Sequence, residues 1–105
     1  MRPDQQQLEQ LVRRIVQAVH PLKVILFGSA ARGEMGPDSD LDVMVIMPEG
    51  THRRRTAQFL YTQLWGIPFA VDIIVATEGD LREYADDIGF IYNSALKEGE
   101  DLYVA

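Results

Sequence analysis

Hydrophobic positions follow different periods along the chain, and the changes of period predict its helices and strands. Near the N-terminus, apolar residues recur at helical spacing and predict a helix with one buried stripe, formed by Leu8, Leu11, Val12, Ile15 and Val19. Asp4 with Gln7 is a suitable capping pair at its start. His20-Pro21 is its predicted end, because proline disfavours helical backbone in the residue before it. Two continuous apolar runs follow, Lys23–Phe27 and Leu41–Met47, and each is typical of a buried strand.

The middle of the chain repeats this alternation of helix and strand. Thr51 is the predicted cap of a second helix. The buried residues of this helix are expected to be Ala57, Leu60, Tyr61, Leu64 and, near its end, Trp65. A third strand is predicted over Phe69–Val75. Because this strand is apolar on both faces apart from Asp72, we expect it to be a central strand covered by helices.

The last part of the chain completes a small α/β pattern. Thr77 and Asp80 resemble a capping pair for a third helix. A final helix is predicted over Phe90–Lys97 and a short edge strand over Leu102–Val104. The alternation predicts an α/β fold with a small mixed β-sheet and helices packed on it. No repeat or linker divides the chain, so we expect a single domain over residues 1–105.

Composition and charge narrow the possible functions. The hydrophobic fraction of 47% is sufficient for one core, and the net charge of −6 argues against broad binding to nucleic acid. Without cysteine, neither disulfides nor thiolate metal sites can form. No signal-peptide core is evident, and no apolar run reaches the roughly 18 to 20 residues that span a membrane. We therefore expect a cytoplasmic protein. The basic run His52–Arg55 is interpreted as a solvated helix start in preference to a contact with a phosphate or a partner.

Three carboxylates interrupt the apolar strands and are the first candidate for chemistry. Asp40 and Asp42 stand two residues apart at the start of the second strand, so they share a face and repel each other. Asp72 has three apolar residues on either side. Protonation or pairing with arginine could explain one such acid, but several converging acids favour hard divalent cations with oxygen ligands. The lack of cysteine and the positions of the two histidines point away from zinc.

A turn at Gly28-Ser29 ends the first strand and is the second candidate. Gly28 would allow a phosphate oxygen to approach the backbone, and Ser29 adds a hydroxyl donor. The following residues, including Arg32, are expected to form a short helix whose N-terminus favours anions. The lysine of a P-loop and the glycine spacing of a dinucleotide fingerprint are both missing.

These features together carry a family resemblance. The stretch Gly28-Ser29-Ala30-Ala31-Arg32-Gly33, followed by Ser39-Asp40-Leu41-Asp42 and by the lone Asp72, resembles the nucleotidyltransferase superfamily typified by DNA polymerase β. Its form is similar to the smallest branch, the minimal nucleotidyltransferases, which are often encoded beside HEPN-domain RNase toxins as their antitoxins. The resemblance covers nearly the whole chain.

The resemblance implies a mechanism and a set of site residues. Asp40, Asp42 and Asp72 would be the catalytic and metal-binding residues, holding two Mg²⁺ ions with ATP between them. Gly28 and Ser29 would bind the nucleotide phosphates. Arg32 would either reach the same phosphates or fix the loop through a salt bridge.

The resemblance also implies a partner. AMP would move from ATP to a tyrosine of a HEPN toxin. A hetero-oligomer with that toxin is compatible with this activity. We expect contacts with neither membrane nor nucleic acid. Two alternatives remain open. The domain could neutralise a partner by masking it without catalysis, or it could be a nucleotide-sensing domain.

Overall fold

The fold is built from three helices and four strands in the part of the chain that is described. The computed structural model describes residues 4–28, 31, 40–84 and 98–105. The elements in chain order are α1 (Gln5–Val19), β1 (Lys23–Phe27), β2 (Leu41–Met47), α2 (Arg53–Gln63), β3 (Val71–Thr77), α3 (Glu78–Tyr84) and β4 (Glu100–Val104). The strands form one sheet in the order β3-β2-β1-β4. β2 runs parallel to β3 and antiparallel to β1, and β4 runs antiparallel to β1. This mixed sheet confirms the predicted fold class.

The helix ends follow local hydrogen-bonding chemistry. The Asp4 side chain accepts a hydrogen bond from the backbone N–H of Gln6, and α1 ends at His20 in the left-handed conformation, with φ of 49°. The prediction that Thr51 caps α2 is wrong. The cap is His52, whose Nδ1 accepts from the N–H of Arg55 at 3.2 Å, while the Thr51 hydroxyl donates to the carbonyl of Pro48. No described helix is long and apolar enough to cross a membrane.

Helices cover both faces of the sheet, and this divides the core into two clusters. The larger cluster joins α1 and α2 to one face of the sheet through side chains that include Leu8, Leu11, Ile15, Val43, Val45, Leu60 and Ile73. The smaller cluster lies on the other face and comprises Ile25, Phe27, Met44, Ile46 and Ala76, with Leu81 of α3 packed against it. Alternate residues of β2 and β3 therefore enter opposite clusters, which explains why both strands are apolar almost throughout.

The third strand and its neighbours differ from the sequence predictions. β3 begins at Val71 and ends at Thr77, two residues later at each end than predicted, and it is an edge strand of the described sheet. Tyr61 and Trp65 were expected in the core, but they are 46% and 79% exposed. The predicted last helix, at 90–97, lies outside the described residues.

Candidate active site

Two of the predicted carboxylates are placed opposite each other by strand pairing. In the parallel ladder between β2 and β3, Asp42 is the direct partner of Asp72. Paired residues on neighbouring parallel strands lie about 4.8 Å apart and point to the same face of the sheet. That face is the one covered by α3. Met44 and Ile74, two residues further along each strand, lie on the same face; Met44 belongs to the smaller cluster, and Ile74 and Leu81 of α3 pack against it. Asp42 is half-buried and Asp72 is exposed, so the pair opens to solvent at the end of the sheet.

Asp40 lies at the same end but outside the strand. It is exposed and immediately precedes β2. The N–H of Leu41 donates to the carbonyl of Ala70 at 2.9 Å, which joins the segment that carries Asp40 to the approach of β3. Across the described ranges, no three histidine or acidic side chains are close enough together to form a ready-made metal site. The structure thus pairs Asp42 with Asp72 and places Asp40 nearby without bringing the three carboxylates into one cluster.

Gly28 is required by the position of Asp42. β1 pairs with β2 so that Phe27 is opposite Asp42, and Gly28 is the next residue along the chain. Gly28 has a φ of +73°, in a backbone region that residues with a Cβ rarely adopt. A Cβ added to Gly28 would overlap Oδ2 of Asp42. The Asp42 carboxylate therefore lies directly against bare backbone at the end of β1. The lack of a Cβ at Gly28 thus makes room for the Asp42 carboxylate, and carboxylate oxygens are the ligands that a hard cation such as Mg²⁺ takes.

The other two predicted nucleotide contacts cannot be placed. Ser29 and Arg32 lie outside the described residues, as do residues 30 and 33–39. Their assignment to the phosphates, and the alternative salt bridge of Arg32, stay predictions.

Tyr61 is a neighbour of the site that the sequence predictions missed. Its hydroxyl accepts a hydrogen bond from the N–H of Ile73 at 2.9 Å and makes a longer one, 3.4 Å, to Oδ1 of Asp72. Tyr61 comes from α2, on the opposite face from Asp72, so the phenol extends around β3 at the edge of the described sheet. Helical spacing groups Tyr61 with Leu60 and Leu64, and nothing in that spacing separates a buried tyrosine from one that reaches a strand edge.

A second polar cluster occupies the other end of β3, and its role is structural. The N–H of Thr77 donates to Asp80 at 3.0 Å and the N–H of Asp80 donates to the Thr77 hydroxyl at 3.2 Å, which confirms the predicted capping pair. Arg53 forms a salt bridge of 2.8 Å with Asp80, and the N–H of Gly79 donates to Glu49. Burial acts to raise the pKa of Asp80, but the hydrogen bonds from Thr77 and Arg53 outweigh it and hold that pKa below its ordinary value. The cluster fixes α3 over the smaller core.

Comparison with known proteins defines the class. A family model described as a nucleotidyltransferase domain matches residues 6–102, and the chain belongs to this family. Its fold is similar to the crystal structure of a Sulfolobus solfataricus protein that carries the provisional name nucleotidyltransferase. That match has a TM-score of 0.65 at 20% identity and covers 94% of this chain and 78% of the other. No curated protein matches the sequence. The protein is thus a transferase of the nucleotidyl class.

Proposed function

We propose that this nucleotidyltransferase domain is a minimal nucleotidyltransferase that moves AMP from ATP to a protein hydroxyl group. The proposed acceptor is a tyrosine of a HEPN-domain RNase toxin, which makes the domain the antitoxin of a toxin–antitoxin pair. The observation that carries the proposed catalysis is the direct pairing of Asp42 with Asp72 across parallel strands, beside the bare backbone of Gly28.

The proposed metal ligands are Asp40, Asp42 and Asp72. Their donor set consists of carboxylate oxygens alone, as Mg²⁺ prefers, and Gly28 leaves the space next to Asp42 free of side-chain carbon. When bound, two Mg²⁺ ions would stabilise the entering and leaving oxygens of an in-line displacement.

The proposed reaction is a single displacement at phosphorus. The oxygen of the acceptor hydroxyl forms a bond to the α-phosphorus of ATP, the bond from that phosphorus to the bridging oxygen breaks, and pyrophosphate leaves. Asp72 is the proposed acceptor of the hydroxyl proton because it is the exposed member of the pair. The backbone at Gly28 and the Ser29 hydroxyl are proposed to bind the phosphates, with Arg32 as a further contact.

The proposed acceptor class has two supports of different kinds. The stretch from Gly28 to Gly33, with Asp40 and Asp42, is similar to the branch of nucleotidyltransferases that act on HEPN toxins. In addition, Asp72 is exposed on the edge strand of the described sheet, where a side chain of another protein can approach it. An acceptor held by a partner protein fits such an open site better than a small molecule enclosed in a cleft.

The first test concerns the nucleotide site. Calorimetric titration of ATP into the protein should give Mg²⁺-dependent binding that Asp42→Asn abolishes. The substitution removes the half-buried charge and keeps the size of the side chain. Asp101→Asn is the matched control, since Asp101 lies on β4 and pairs with Lys23 at 3.3 Å, away from the site. Equal binding by wild type and Asp42→Asn would reject the assignment of the site.

The second test concerns the acceptor. Mass spectrometry of a HEPN-domain toxin co-expressed with the protein should detect a tyrosine carrying AMP, and the adduct should disappear with Asp42→Asn. If the toxin is neutralised equally well by that variant and carries no adduct, the domain masks its partner instead of modifying it. ATP binding without transfer to any protein would identify a nucleotide-sensing domain.

A further inference from the structure

The hydroxyl of Tyr61 connects an edge of the sheet to a proposed catalytic carboxylate. It lies 2.9 Å from the backbone nitrogen of Ile73 and 3.4 Å from Oδ1 of Asp72. Ile73 is the residue after Asp72, and its side chain belongs to the larger core cluster while Asp72 points to the opposite face. The backbone N–H of Ile73 is therefore a fixed point, because buried packing holds the strand at that residue.

The chemistry of a phenol determines the direction of both hydrogen bonds. A backbone N–H can only donate, so the Tyr61 oxygen must accept from Ile73. The one proton of the hydroxyl then remains to donate, and Oδ1 of Asp72 is the acceptor in reach. A tyrosine side chain has few rotatable bonds, so this contact can restrain the carboxylate at a low entropic cost.

We propose that Tyr61 is a positioning residue of the active site, which orients Asp72 toward the metal and the acceptor hydroxyl. This inference rests on the proposed function and deepens it. Asp72 needs such a restraint because it is exposed, and an exposed side chain keeps much of its rotamer freedom. The hydrogen bond from the Tyr61 hydroxyl fixes Oδ1 of Asp72, and the other carboxylate oxygen remains available to bind a cation.

Packing alone does not account for Tyr61. The residue is 46% exposed although it is adjacent in sequence to Leu60, which is fully buried. A tyrosine placed only to fill the core would bury its ring and leave its hydroxyl at the surface. Here the opposite holds, because much of the side chain is exposed while the hydroxyl makes both of the hydrogen bonds that its geometry allows.

The test compares two substitutions that each remove one hydroxyl group. Tyr61→Phe is compared with Tyr103→Phe, a control on β4 at the other edge of the described sheet. Binding of Mg²⁺ with α,β-methylene ATP, which cannot transfer AMP, is measured by calorimetry on protein shown to be folded by circular dichroism. We expect Tyr61→Phe to weaken this binding about tenfold, as for other groups that orient a metal ligand, and Tyr103→Phe to leave it unchanged.

A double-mutant cycle separates orientation of Asp72 from support of the strand. The urea midpoints of the metal-free protein are measured for Tyr61→Phe, Asp72→Ala and the double variant. Tyr61→Phe removes the hydrogen bond to Ile73 whether residue 72 is aspartate or alanine. It removes the hydrogen bond to Asp72 only in the background that retains Asp72, so a contribution from that bond makes the effects of the two substitutions non-additive. Non-additive midpoints, together with the loss of binding, support the proposal.

Four results would overturn the inference. Unchanged binding by Tyr61→Phe would reject it while the proposed function stands, provided that wild type binds the analogue. Additive midpoints would assign Tyr61 to strand support alone. An AMP adduct on Tyr61 after incubation of wild type with Mg²⁺ and ATP would make it an acceptor instead of a positioning residue. Failure of wild type to bind the analogue rejects the proposed function itself, and the inference falls with it.

Discussion

Replacing Gly28 with alanine should impair both stability and nucleotide binding, for two separable reasons. The first is conformational, because φ at Gly28 is +73° and this left-handed region costs a non-glycine residue about 1–2 kcal/mol. For a domain of this size, such a loss lowers the melting temperature by about 4 °C per kcal/mol. The second reason is steric. The new methyl group would occupy the space of Oδ2 of Asp42, so the carboxylate must rotate away from its position beside Gly28.

Gly50 provides a matched control for this substitution. Its φ is +87°, and a Cβ built on it has no atom within 4 Å, so Gly50→Ala carries the conformational cost without the overlap. Gly50 also follows β2 at the end opposite Asp42. We expect both variants to lose about 1–2 kcal/mol in urea denaturation. Only Gly28→Ala should also lose affinity for Mg²⁺ and ATP, by about 10- to 100-fold, since displacing a metal ligand or its support has effects of that size.

The binding measurement decides between the two reasons. Calorimetric titration of ATP with Mg²⁺ is carried out on wild type, Gly28→Ala and Gly50→Ala at a temperature where all three are folded. Equal affinities for the two variants would refute the reasoning, because the contact between Gly28 and Asp42 would then have no consequence for the site. A loss of affinity in both would point to a general effect of destabilisation.

Three further predictions concern the ends of the helices and the metal. Asp80→Asn should lower stability by about 1–2 kcal/mol at neutral pH. Because the pKa of Asp80 is lowered in the folded protein, wild type should be the more stable above the ordinary carboxyl pKa and lose this advantage as pH falls through the lowered pKa. Thermal melts at a series of pH values measure this difference. His52→Ala should cost about 0.5–1 kcal/mol in urea denaturation, and His52→Ser should cost less because serine also caps. Mg²⁺ with ATP should raise the melting temperature of wild type and raise it less in Asp72→Asn; equal shifts would contradict the assignment of Asp72.

The sequence was most informative where one physical cause dominates the pattern. Leu8, Leu11 and Ile15 of the α1 stripe and the apolar residues of β1 and β2 are buried as predicted, because burial of apolar surface alone selects them. Val12 and Val19 of the same stripe are only partly buried. The pairing of Thr77 with Asp80 was also predictable, since a capping pair involves residues only three apart. The position of Asp72 opposite Asp42 could not be derived in the same way, because strand register depends on contacts between segments that are far apart in sequence.

The wrong predictions for β3 and Tyr61 share a different cause. β3 was expected at the centre of the sheet because it is apolar on both faces, yet it lies at an edge of the described sheet. The period of apolar residues reports which faces are covered, and here α2 and α3 cover both; it contains no information on whether another strand lies alongside. The misplacement of Tyr61 has the same origin, since that side chain belongs to the strand edge and not to either face.

The edge of β3 connects the fold to the proposed activity. An edge strand exposes unpaired backbone groups that can recruit other strands, and proteins cover such edges with side chains. Two backbone N–H groups of β3 donate to side chains, that of Ile73 to Tyr61 and that of Thr77 to Asp80. At Thr77 this contact belongs to the capping pair that begins α3, in which the Thr77 hydroxyl also accepts from the N–H of Asp80. At Ile73 the protecting hydroxyl also reaches Asp72, so the same contact that satisfies the edge restrains a proposed catalytic group. The position of Asp72 on the edge strand of the described sheet leaves it exposed to the proposed acceptor from another protein, while Tyr61 supplies the order that a neighbouring strand would otherwise provide.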